Sequence, residues 1–231
     1  MEYRWLATSV AGFVQHLAVG YITKGYYFYV TGIIPEGKDP AKTDRKIMEA
    51  YGINVSKWTR TRRKKQGEAN IHYLRYRGSY VIIANHGVHR FFAAEAKRLR
   101  DVRRCPISFM GYSIGCRPAR GGQSLHASVR INRERYRALK ERFHSAAIHH
   151  TVEELGRELR SLPFEPYAPV RGQLLCVRRA INRRRALAGL ELVPISALRL
   201  HRSPVRPFDE PVSFTESEIS EQTDPPSGSL E

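Results

Sequence analysis

The segment Asn70 to Asn85, NIHYLRYRGSYVIIAN, decides the fold class. It holds two runs rich in β-branched and aromatic residues, Asn70 to Tyr76 and Ser79 to Asn85, with only Arg77 and Gly78 between them. A two-residue connection of this kind is a tight antiparallel hairpin. Alternation along the first run sends Tyr73 and Arg75 to one face and His72, Leu74 and Tyr76 to the other.

Toward the N-terminus, Tyr26 to Ile34 (YYFYVTGII) has the same strand composition and stops at Pro35. Asp39 followed by Pro40 is a helix start, an N-cap acceptor ahead of a residue that needs no donor, and that helix runs to Ala50. Asn54 to Gln66 becomes a second helix with Ser56 as its cap and Gly67 as its stop. Farther upstream, Val10, Phe13, Val14, Leu17 and Ala18 recur at three and four positions and describe an N-terminal helix packed on the core.

Toward the C-terminus, Phe91 to Leu99 reads as helix. Pro106 to Cys116 reads as one strand, with Gly111 near an edge or bulge, and a Gly/Arg-rich loop follows over Arg117 to Gly122. Val129 to Ile131 is one more short strand. Beyond it the pattern turns helical over Arg133 to Ile148, Thr151 to Leu162 and Val170 to Ala188. Thr151 with Glu154 has the capping-box spacing, and the prolines from Pro163 to Pro169 make a rigid connector.

The expected architecture is therefore α+β: a mainly antiparallel sheet with flanking helices in the first half and a helical C-terminal half. The expected units are a sheet domain over 1–131 with its N-terminal helix, a helical region over 132–202 packed on it, and a disordered, acidic Pro/Ser/Glu tail over 203–231.

Charge narrows the function. The 231 residues carry 39 Lys+Arg against 22 Asp+Glu, a net charge of +17. Seven of the acids lie beyond Ser203 with Arg206 the one base there, so the rest of the chain carries +23. A body this basic calls for a polyanion, and nucleic acid, DNA or RNA, is the expected partner. Three scattered cysteines fit neither a disulfide framework nor a zinc ribbon, and no apolar run is long enough for a membrane span, so a cytoplasmic protein with no membrane partner is expected. Phosphate-loop, serine-elbow and zincin motifs do not occur in the sequence.

Three groups of residues are candidates for phosphate contact. The first is Arg60, Arg62, Arg63, Lys64 and Lys65, preceded by Trp58 and without interleaved acids. The second is Tyr73, Arg75 and Arg77 of the hairpin, and the third is Arg178, Arg179, Arg183 and Arg184 on the last helix. A binding module of this kind, in a mobile genetic element or as a structural part of a ribonucleoprotein, is the expected function.

A chemical alternative starts from His86 and His89, which follow a strand, and Glu95 on the next helix, a set able to bind Mg or Mn. With Tyr136 on a later helix and Lys140 one turn on, the combination resembles rolling-circle replication initiators and related single-strand nucleases and transposases. The resemblance implies that a metal on His86, His89 and Glu95 polarises the scissile phosphate while Tyr136 becomes covalently linked to it. Those enzymes place one apolar residue between the histidines. Here Gly87 and Val88 intervene, a step that points the two rings apart unless the chain turns at Gly87.

Overall fold

A computed structural model describes residues 3–118, 122, 124–203 and 205–208. The hairpin forms as expected, from β2 (Ile71–Tyr76) and β3 (Ser79–Ala84), in the register Tyr76 to Ser79 through Ile71 to Ala84. Its positive φ of 50° falls on Arg77, and the Arg75 guanidinium holds that turn by donating to the Arg77 carbonyl at 2.7 Å.

β1 (Phe28–Ile33) pairs antiparallel with β3, and the two-residue β4 (Arg100–Asp101) pairs with the start of β1, giving a four-stranded sheet in the order β2-β3-β1-β4. The run Val81 to Ala84 is continuously apolar because both faces of this sheet are covered. Val81 and Ile83 enter the main core, while Ile82 and Ala84 enter a second cluster with Val30, Ile71, Tyr73 and Phe91. A continuous apolar run is the signature of a strand buried on both sides.

Pro106 to Cys116 is two strands, where the sequence reading expected one. β5 (Ile107–Phe109) and β6 (Tyr112–Pro118) are joined by Met110 and Gly111, whose φ values of 44° and 81° make a tight two-residue turn. An apolar Met in the first turn position hid the turn from the sequence. β7 (Leu125–Ile131) completes a second antiparallel sheet, β5-β6-β7. Since β6 runs to Pro118, the expected Gly/Arg-rich loop starts later, and its residues 119–121 lie outside the described residues.

The helices start where their caps put them. α1 (Val10–Gln15) is capped by Ser9 and continues into a wider π-helical turn, His16–Tyr21. Asp39 caps α2 (Pro40–Ala50) and Ser56 caps α3 (Lys57–Lys65), each side chain accepting a backbone N–H of the first turn. α4 (Arg90–Ala94) is short, and α5 (Arg133–Ala146) is capped by Asn132. α6 (Val152–Arg160) carries the full Thr151/Glu154 capping box, and α7 (Ala168–Leu187) is the longest helix described.

The main core runs from Ala7 in the N-terminal segment through Ile114 and Val129 of the second sheet to Leu139, Leu174, Ile181 and Leu198. The helical C-terminal half and the strand-rich half therefore share one interior. Of the segment expected to be a tail, Val205 donates its N–H to the Gln15 side chain, Pro207 accepts the Thr8 N–H and Phe208 packs edge-on against His16. Residues 209–231, where the disordered tail is expected, lie outside the described residues. Among the described residues no helix is long and apolar enough to cross a membrane.

Candidate nucleic-acid interface

α3 sorts its cations by face. Arg60 and Arg63 turn inward. Arg60 donates to the Ile53 carbonyl at 2.7 Å, lies 4.9 Å over the Tyr3 ring and sits 3.2 Å from the His72 ring nitrogens. Arg63 donates to the Gly52 carbonyl and lies 3.9 Å from Glu68. These two arginines fasten the helix to the body.

The remaining residues face solvent. Trp58, Thr61, Arg62 and Lys65 follow one another at i, i+3, i+4 and i+7, which places them on one exposed stripe, with Lys57 and Lys64 beside it. Trp58 is 83% exposed, and no other Trp, Tyr or Phe among the described residues is in the exposed class. Its indole is open to solvent and available for stacking. Lys57, Arg62, Lys64 and Lys65 have no carboxylate partner among the described residues, where carboxylates pair with Arg63, Arg75, Arg98, Arg103, Arg142, Arg199 and His150.

The hairpin contributes less than its composition suggested. Tyr73 is fully buried, and its hydroxyl donates to Asp44 at 2.6 Å. Arg75 is buried too, its Nε and NH2 both bonded to the same carboxylate. They face the inside of the first sheet, as alternation placed them, but that inside is closed by α2. Arg77 alone stays exposed, at the turn.

On α7, Arg178 and Arg184 are tied down, to the Val193 carbonyl at 2.8 Å and to the His144 carbonyl at 3.0 Å. Arg179 and Arg183, one turn apart, are exposed. The sequence reading missed their neighbours on α5. Arg133, Arg137, Lys140 and His144 repeat at i, i+4, i+7 and i+11 and are all exposed, and α5 lies beside α7 through the Tyr136–Gln173 and His144–Arg184 bonds. The spacing was visible; attention to runs of adjacent arginines obscured it.

The residues of the chemical alternative are not brought together. Gly87 does turn, at φ 140°, and a Cβ there would meet the Ala69 nitrogen at 2.4 Å. The turn leaves the histidines in separate employment. His86 is exposed, edge-on to Phe28 at 4.7 Å. His89 caps α4, its Nδ1 accepting the Phe91 N–H at 3.1 Å, which removes that nitrogen as a metal ligand. Burial, then Arg63 and Arg90 nearby, holds the His89 pKa below its usual value.

Glu95 accepts the Tyr51 hydroxyl at 2.7 Å and pairs with Arg98. Burial and then that bond push Tyr51 up to about 12. Tyr136 donates to the Gln173 carbonyl at 3.4 Å, between α5 and α7, and burial raises its pKa, the opposite of what an activated nucleophile needs. Among the described residues no group of three or more His, Cys, Asp or Glu side chains is placed to hold a metal ion.

The fold and its surface thus define an α+β protein with two exposed cationic faces that have no carboxylate partner among the described residues. No family model, curated protein or solved structure matches the chain.

Proposed function

We propose that this is a nucleic-acid-binding protein whose principal contact is the exposed face of α3, with Lys57, Arg62, Lys64 and Lys65 on phosphates and Trp58 stacked on a base. The observation that carries it is the 83% exposed Trp58 set in a stripe of cations without carboxylate partners among the described residues. Stacking on an indole is open to any base, and guanidinium and ammonium groups follow a backbone whatever its sequence, so the site favours unpaired strands with little sequence preference.

Two measurements test this. Trp58→Ala removes an exposed side chain, so stability should hold within about 0.5 kcal/mol while affinity for a single strand falls roughly tenfold. With four phosphates neutralised, log K against log salt should slope near −3, and Arg62→Ala with Lys65→Ala should reduce that slope by roughly half. Trp5, bonded to Asp44 at 3.0 Å, should leave the Trp58→Phe variant with an emission that oligonucleotide does not quench. Binding indifferent to both salt and Trp58 would reject the reading.

A further inference from the structure

We infer that the protein recognises a junction between single-stranded and double-helical nucleic acid, with the α5–α7 face holding the duplex and α3 the unpaired strand. This rests on the reading of α3 given above and adds a second site of different character.

The second site is built across the seam of two helices. Arg133, Arg137 and Lys140 form one exposed stripe on α5, and Arg179 and Arg183, one turn apart, are exposed on the neighbouring α7. None of the five has a carboxylate partner among the described residues. Glu134 and Glu141 occupy the next stripe round α5 and form no ion pair with the row among the described residues. From Arg133 to His144 the row spans roughly 16 Å at the rise of an α-helix, long enough to meet successive phosphates of a strand.

What the seam lacks is as informative as its charge. Every tyrosine and phenylalanine among the described residues is at least partly buried, and Tyr136, the nearest to the seam, spends its hydroxyl on Gln173. The one ring in the row, the imidazole of His144, is held by the Arg184 guanidinium 2.7 Å from its Nδ1, and a row of cations without an exposed Trp, Tyr or Phe suits the regular phosphates of a duplex, whose bases are already stacked. α3 offers the opposite combination. The two faces also belong to different parts of the fold: α3 is fastened beside the first sheet through Asn70, and α7 packs on β7 of the second through Gln173 and Ile131. A ligand with a paired and an unpaired part offers each face the strand form that suits it, and if one molecule spans both faces the second contact forms at high effective concentration.

The test compares a single strand, a blunt duplex and a duplex with a single-stranded overhang, each as DNA and as RNA, by fluorescence anisotropy at fixed salt. The overhang duplex should bind at least about tenfold tighter than either part alone. Arg179→Ala with Arg183→Ala should bring the overhang duplex down to the single-strand level and leave single-strand binding within about twofold. Trp58→Ala should do the reverse, weakening the single strand and leaving the blunt duplex unchanged. An overhang duplex no tighter than its better part, or an arginine variant that weakens all three ligands by one factor, would overturn the inference while leaving the α3 reading intact. Loss of that reading would show separately, as a Trp58→Ala protein that binds the single strand like wild type.

Discussion

Asp44→Ala should cost about 3–5 kcal/mol of folding stability, the largest effect expected from any single polar substitution in the protein. Asp44 is 3% exposed and gathers three donors: Trp5 Nε1 at 3.0 Å, the Tyr73 hydroxyl at 2.6 Å, and Arg75 through Nε at 2.8 Å and NH2 at 2.8 Å. The carboxylate therefore ties the N-terminal segment and α2 to β2. Its removal leaves a buried guanidinium without a counter-charge and strands two further donors, and an orphaned charge costs far more than the pair contributes. Urea denaturation of the variant measures the loss. The double variant Asp44→Leu with Arg75→Met should recover much of it, because neither charge then remains buried. If Asp44→Ala alone costs less than about 1 kcal/mol, the site is wetter or looser than its geometry implies.

This pair also shows what the sequence could and could not reveal. The hairpin, its register and the split of Tyr73 and Arg75 from His72 and Leu74 follow from period-two alternation, a local property. That both faces would be covered does not, because the face of Tyr73 and Arg75 is closed by α2, about thirty residues upstream. Arg75 and Tyr73 thus looked like ligands for a phosphate and are ligands for Asp44. The caps at Asp39, Ser56 and Thr151 were legible for the same reason as the hairpin: each acts within one turn of its own helix.

On α3 the density of positive charge was plain, but the sorting of Arg60 and Arg63 inward required the carbonyls of Ile53 and Gly52, supplied by the preceding loop. The histidines failed differently. Residue types suited to a metal were present, yet the donor atoms had local uses, and a helix cap at His89 was the simpler one. The α5 stripe was legible in its spacing and gained meaning only once α7 lay beside it.

The other large effect is on pH. His72 lies among Tyr3, Tyr21 and Tyr26, with Arg60 3.2 Å from its ring, and the titratable groups that act on it from other elements are Arg60 on α3 and His16 and Lys24 in the N-terminal turns. A guanidinium can only donate, so the ring must accept, which requires the neutral imidazole. Burial first, then Arg60, holds His72 down at about 3, and burial followed by Lys24 holds His16 at about 4. In the unfolded chain both titrate near about 6.5. Between those limits the unfolded state binds more protons than the folded one, so the contribution is fully present above pH 6.5 and is lost as pH falls toward the folded values. Each histidine then removes up to about 1.4 kcal/mol per pH unit, and over the roughly two units from 6.5 to 4.5 the pair should take up to about 5 kcal/mol. Asp101, whose burial is outweighed by the bonds to Arg103 that hold it below its ordinary value, acts below that window. Urea midpoints across the range should fall steeply for wild type, and His72→Gln, which keeps an acceptor but cannot charge, should flatten the fall by about half. Because Arg60 fastens α3 to His72, acid should also loosen the helix that bears Trp58, so Trp58 quenching by acrylamide should rise before global unfolding in wild type and not in His72→Gln. Parallel pH profiles for the two proteins would sink the assignment of acid sensitivity to this cluster.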